Sequence, residues 1–206
     1  MVRTKICGIT DITHAFIAAE AGASAIGLVF YEKSPRHVSI PLAKEICQSL
    51  PPFISTVGLF VNADIDVVNR VIVETGIDLL QFHGEETPQY CENFSKPYLK
   101  AIRVKPGIDL VQYAAVYKNA KGLLLDAFFP DKPGGTGMTF DWNLIPQNLS
   151  LPVVLSGGLS PDNVADAIRK VKPWAVDVSS GVEESPGKKD ASKIREFIKG
   201  VHNASL

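Results

Sequence analysis

Cysteine is scarce in this chain: there are three in 206 residues, scattered and odd in number, which excludes a disulfide framework. Apolar runs such as Gly122 to Ala127 fall far short of the roughly 20 residues that cross a bilayer, so no membrane association is expected although 46 % of the residues are hydrophobic. Charge of one sign is also missing. With 21 Lys and Arg against 22 Asp and Glu the net charge is −1, and beyond Lys188-Lys189 no like-charge block offers a footprint for nucleic acid. No HxH, HExxH or CxxC spacing marks a metal site, and neither a GxGxxG nor a Walker loop marks a nucleotide site. Met1 to Lys5 lacks the apolar centre of a signal peptide, which with the unpaired cysteines points to the cytoplasm. No linker rich in Gly, Ser or Pro interrupts the chain, and one domain over residues 1–206 is expected.

What is present is a rhythm. Eight short runs rich in apolar and β-branched residues alternate with longer amphipathic ones: Thr4 to Cys7, Ala25 to Phe30, Ser55 to Val61, Leu79 to Phe82, Leu99 to Val104, Gly122 to Asp126, Pro152 to Ser156 and Ala175 to Ser179. The first helix is expected over Asp11 to Gly22 with Ile12, Phe16, Ala19 and Ala23 on its apolar face. The second follows Ile40-Pro41 and presents Leu42, Ile46 and Leu50. The third opens at Asp64 with Val67, Val68, Val71 and Ile72 before Gly76. Glu85 to Phe94, Asp109 to Tyr117 and Asp141 to Ile145 give shorter candidates. A seventh is capped by Ser160 with Pro161 at its first position, and the last covers Asp190 to Val201. Eight strands alternating with helices, none of them marked by charge as an edge, predict an α/β fold, a (β/α)8 TIM barrel, with function at the strand C-terminal ends.

Several residues fall at those ends. Ser156-Gly157-Gly158 follows the seventh strand and Ser179-Ser180-Gly181 the eighth, the two loops that commonly hold phosphate in such barrels, although glycines also serve as plain tight turns. Asp126 ends the apolar Leu123-Leu124-Leu125, where removal from water favours a protonated acid suited to proton donation; a helix cap or a partner for lysine is the alternative. Arg36, in the second loop, could grip a carboxylate in a bidentate fork or simply be solvated. His83 ends the fourth strand and suits either a hydrogen-bonded rim position or a ligand contact. Cys7 ends the first strand; a thiol beside Ile6 is on its own terms a small buried hydrophobe as readily as a base. Lys5 shares its side of the strand by alternation. Cys47 and Cys91 are read as packing residues, His14 and His202 as solvent-facing, and Asp177 as structural. Phe128 to Gly137, with Gly134-Gly135-Thr136-Gly137 inside it, reads as a loop over the site.

Taken together these motifs resemble a known family. Lys5-Ile6-Cys7-Gly8-Ile9-Thr10, Gly27-Leu28-Val29-Phe30 with Ser34-Pro35-Arg36, Gly58-Leu59-Phe60-Val61-Asn62 and Gln81-Phe82-His83-Gly84 are similar to segments of the phosphoribosylanthranilate isomerases of tryptophan biosynthesis. Leu124-Leu125-Asp126, Gly134-Gly135-Thr136-Gly137, Phe140-Asp141-Trp142, Leu155-Ser156-Gly157-Gly158-Leu159 and Val176 to Glu183 extend the likeness over nearly the whole chain. Met138 departs from the polar residue that many relatives carry there. The resemblance implies a barrel that performs an Amadori rearrangement of N-(5-phosphoribosyl)anthranilate without a cofactor. It further implies Asp126 as general acid, Cys7 as general base, Arg36 on the substrate carboxylate and the glycine turns on its phosphate. The implied partner is a small phosphosugar, with monomer and homodimer both open.

Two other readings compete at this level. One is a different phosphosugar barrel enzyme, such as a histidine-pathway sugar isomerase or an indole-forming lyase; the former is expected to carry paired aspartates at strand ends one and five, but strand one here ends in Cys7. A non-catalytic phosphate-binding barrel gives no reason for Cys7 and Asp126 to occupy opposing strand ends.

Overall fold

Alternation within each strand decides which side chains face the barrel axis and which face the helices. In the computed structural model, which describes residues 1–127 and 139–204, eight strands close into a parallel barrel in chain order, β1 (Arg3–Cys7), β2 (Ala25–Val29), β3 (Ser55–Phe60), β4 (Leu79–Phe82), β5 (Tyr98–Val104), β6 (Gly122–Ala127), β7 (Val153–Leu155) and β8 (Ala175–Val178). The ends agree with the eight expected runs to within one residue. β8 returns to β1 with Lys5 opposite Asp177, a register that matters for the site. Ile6, Ile26, Leu28, Leu80, Leu125 and Val176 pack outward under the helices. A separate apolar plug of Leu99, Ala101, Leu124 and Val154 fills the barrel interior. Above that plug the inward positions are mixed, with Gln81, Asp126, Ser156 and Asp177 beside Cys7, Val29 and Leu59.

Among the described residues, seven α-helices surround the sheet: α1 (Ile12–Glu20), α2 (Ile40–Ser49), α3 (Ile65–Thr75), α4 (Pro88–Cys91), α5 (Leu110–Val116), α6 (Val164–Val171) and α7 (Ala191–Ala204), with 3-10 turns over Trp142–Leu144 and Ser180–Val182. Asp11 caps α1 by accepting from the His14 amide at 2.8 Å, and Asp109 caps α5 from Gln112 at 2.9 Å. Some expectations need correction. The α1 face is Ala15 and Ala18, with Phe16 partly exposed; two small side chains let the helix lie close to the sheet. Val67 is 43 % exposed, so α3 buries Val68, Val71, Ile72 and Thr75 instead. The helix expected over Glu85 to Phe94 shrinks to α4, because Glu86 is buried as a loop anchor: it accepts from the Asn62 and Gly84 amides and pairs with Lys100 at 2.8 Å. α6 starts at Val164 and not at Pro161. The Asn163 side chain accepts from the Ser160 amide and donates to the Gly158 carbonyl, spending residues 160–163 on a turn.

One element escaped the periodicity. Glu183–Ser185 (β9) and Lys188–Lys189 (β10) form a short antiparallel hairpin between β8 and α7, turning at Pro186-Gly187 with Gly187 at φ +84°. The Pro-Gly pair is the only local sign of it. The loop expected over Phe128 to Gly137, and Met138 after it, lie outside the described residues.

The outer layer carries most of the packing. Phe82 is fully buried with ring centroids 5.5 Å from Tyr90 and Phe94, 5.8 Å from Tyr98 and 6.3 Å from Phe60. Phe82→Ala is expected to cost about 3–5 kcal/mol, seen as a lower denaturation midpoint at unchanged slope.

Candidate active site

A cavity of about 330 Å³ opens at the C-terminal ends of the strands. Cys7, Arg36, His83, Asp126, Gly157, Gly158 and Ser180 all line it, although they come from six different strand ends. Gly181 does not. A side chain there would strike the Leu159 carbonyl, so Gly181 lies behind the rim and lets the loop after β8 press against the loop after β7.

The acid side of the cavity is built on β4 and β6. Asp126 is buried; its Oδ1 accepts from the Ala127 amide at 2.9 Å and its Oδ2 lies 3.1 Å from His83 Nε2. The Gln81 side-chain amide stands 3.0 Å from His83 Nδ1, so the ring bridges Gln81 and Asp126. Gln81 and His83 are two apart and share the inward side of the chain. Gly157 and Gly158 follow with φ of +81° and +68°, values that glycine adopts without strain, and a Cβ on Gly157 would collide with the Ala127 amide beside Asp126. The turn after β7 thus touches the carboxylate.

The thiol side is built on β1, β2 and β8. Cys7 is 5 % exposed and shares its inward side with Lys5, whose Nζ donates to Asp177 Oδ1 at 2.8 Å. Ser156 donates to the other Asp177 oxygen at 3.3 Å. Burial pushes the Cys7 thiol above its ordinary range, and the Lys5 ammonium opposes that rise. Burial also works against the Lys5 charge, but Asp177 and Cys7 outweigh it and hold the ammonium above the usual lysine range. Sequence reading gave Asp177 a structural part, and the ion pair supplies one.

Arg36 reaches the cavity from the loop after β2. Its Nε and Nη2 donate to the two Glu183 oxygens at 2.8 and 2.7 Å, which uses two of its five N–H groups and leaves the others. Glu183 also takes Lys189 Nζ at 2.8 Å; against the effect of burial, Arg36 and then Lys189 hold its carboxyl below the usual carboxylate range. Neither Glu183 nor Lys189 carried a role in the sequence reading. Glu183 lies 147 positions along the chain from Arg36, and the hairpin brings the two together. Among the described residues, no group of three or more His, Cys, Asp or Glu is placed to hold a metal. No helix among them is long and apolar enough to cross a membrane.

This arrangement offers a buried thiol, a buried carboxylate, an arginine and a glycine turn around one small cavity, a set suited to moving protons on an anionic sugar. The family model described as N-(5'phosphoribosyl)anthranilate (PRA) isomerase matches residues 4–200. The chain belongs to this family. It is 57 % identical over 203 residues to N-(5'-phosphoribosyl)anthranilate isomerase of Azotobacter vinelandii, covering 98 % of each chain. Among solved structures, the phosphoribosyl anthranilate isomerase of Thermotoga maritima superposes with a TM-score of 0.92 at 43 % identity, over 98 % of this chain and 100 % of that one. Another phosphoribosyl anthranilate isomerase, solved with reduced 1-(o-carboxyphenylamino)-1-deoxyribulose 5-phosphate, gives 0.88 at 41 % identity over 98 % and 100 %.

Proposed function

We propose that this chain isomerises N-(5'-phosphoribosyl)anthranilate with Asp126 as acid and Cys7 as base, a step of tryptophan synthesis that needs no cofactor. Asp126 gives its proton to the furanose ring oxygen as the C1–O bond breaks, and the nitrogen lone pair forms the C1=N iminium. The Cys7 thiolate then takes the proton from C2, and the resulting enolamine becomes the ketone of 1-(2-carboxyphenylamino)-1-deoxyribulose 5-phosphate as a proton is added at C1 and the 2-hydroxyl proton is lost, with proton exchange through solvent returning Asp126 and Cys7 to their starting forms. A modest base suffices, since the iminium acidifies the neighbouring C–H. The single observation that carries this reading is that β7 and β8, with their glycine turns, stand between the strand bearing Asp126 and the strand bearing Cys7. A phosphate seated on Gly157, Gly158 and Ser180 leaves the sugar carbons between acid and base. Gly181 supports that seat from behind, and His83 orients the acid.

The carboxylate of the aromatic ring goes to the free edge of Arg36. Arg36→Ala is expected to raise KM about 10- to 100-fold while kcat changes little, since a charged hydrogen bond contributes about 1.5–3 kcal/mol. Steady-state kinetics that leave KM unchanged would remove this role. The decisive test of the whole reading follows the loss of substrate fluorescence on adding purified protein without any cofactor; no loss would sink it.

One barrel domain over residues 1–206 belongs to this reading, which accommodates a monomer or a homodimer. A phosphoribosylanthranilate isomerase of Thermotoga maritima has been solved as monomers generated from a dimer. Cys7, Cys47 and Cys91 are free thiols, and a base that must stay reduced suits the cytoplasm.

A further inference from the structure

Lys5 is the buried charge that the mechanism above leaves without a task. It stands two residues before Cys7 on β1, with its side chain 5 % exposed, and its partner Asp177 sits directly across the β1–β8 ladder. The ladder already joins these strands. A buried ion pair adds little to such a junction, because desolvating two charges costs as much as or more than their attraction returns. The place where Lys5 points supplies a different reason. β2 has Gly27 beside it, and a Cβ built on Gly27 would stand 2.7 Å from Cys7 Sγ and 3.0 Å from Lys5 Nζ. The ammonium and the sulfur therefore converge on a space kept clear of side chains.

We propose that Lys5 is a positioning residue for Cys7, its ammonium fixed by Asp177 so that a positive charge always faces the sulfur when the thiolate forms. The proposal deepens the reading of Cys7 as base and rests on it. Among the described residues, three charged groups act on the sulfur: Lys5 from β1, Asp177 from β8 and Lys189 from β10. Asp177 opposes the thiolate, but Lys5 and Ser156 occupy its two oxygens. Lys189 is engaged by Glu183 and by the Ser179 carbonyl at 3.0 Å, which makes it the weaker influence. Lys5 remains as the strongest group that offsets the burial of the thiol. It keeps its own proton throughout, so it acts on the sulfur as a charge and takes no proton from it.

The test uses Lys5→Met in the full chain, with the pH dependence of Cys7 alkylation by iodoacetamide read peptide by peptide and Cys47 and Cys91 as internal references. The alkylation midpoint is expected to rise by about one pH unit, with kcat near neutrality falling about tenfold and recovering at high pH. Lys5→Arg is expected to restore part of both. Because Lys5→Met leaves Asp177 buried and unpaired, Lys5→Met with Asp177→Asn serves as the second variant. A smaller rise in the same direction is expected there, since the stronger of two opposed influences has gone. An unchanged midpoint in either folded variant, with Cys7→Ser inactive, overturns the role of Lys5 alone. Wild-type turnover in Cys7→Ser overturns the base itself.

Discussion

Asp126→Asn is expected to lower kcat by about 10²- to 10⁴-fold, the usual worth of a positioned general acid, while KM and the unfolding midpoint stay near wild type. The reason is local. The amide fits the same space, its oxygen still accepts from the Ala127 amide, and its nitrogen still stands beside His83, so the turn at Gly157 keeps its support. What it lacks is a proton to give the ring oxygen. The C1–O bond must then break without protonation, and the iminium on which the second step depends forms slowly. Near wild-type turnover in this variant would remove Asp126 from the acid role.

Cys7→Ser should be at least as damaging to turnover and as harmless to the fold. Serine fills the space that Gly27 and Cys7 share, but its hydroxyl does not ionise in the working pH range, so C2 loses its base. Circular dichroism and substrate binding are expected to be unchanged while kcat falls by orders of magnitude. The wild-type pH dependence follows from the same thiol. Burial favours the neutral form, yet the thiolate is the one that works; activity is therefore expected to rise with pH as Cys7 ionises, to a point above the ordinary thiol range. Stability runs the other way. In the unfolded chain the thiol ionises at its usual value and in the folded chain only later, so above the ordinary thiol range the unfolded state has fewer protons and folding weakens as pH rises. A rate profile flat across that region would contradict the first statement, and a denaturation midpoint that climbs there would contradict the second.

The barrel was readable because strand positions buried on both faces leave a local mark. Leu123-Leu124-Leu125 and Ala25 to Val29 are apolar runs bounded by turn residues, and their ends could be placed without any tertiary information. Helix faces were harder. α1 carries apolar residues on more than one side, and close packing selected Ala15 and Ala18 over Phe16. The segment at Glu86 looked helical because nothing local says that a glutamate will be buried to tie two loops and Lys100 together.

Local order in the chain was enough to determine eight strands, their alternation with helices, and the placement of Cys7, Arg36, His83, Asp126 and the glycine turns at strand ends, since each of these depends on neighbours a few residues away. Charge pairing was not determined in this way. Lys5 meets Asp177 only when β8 closes on β1, and Arg36 meets Glu183, which Lys189 also holds, only when the hairpin folds across the rim. Those contacts span 172 and 147 positions, and an electrostatic partner at such a distance follows from barrel closure, on which local sequence is silent.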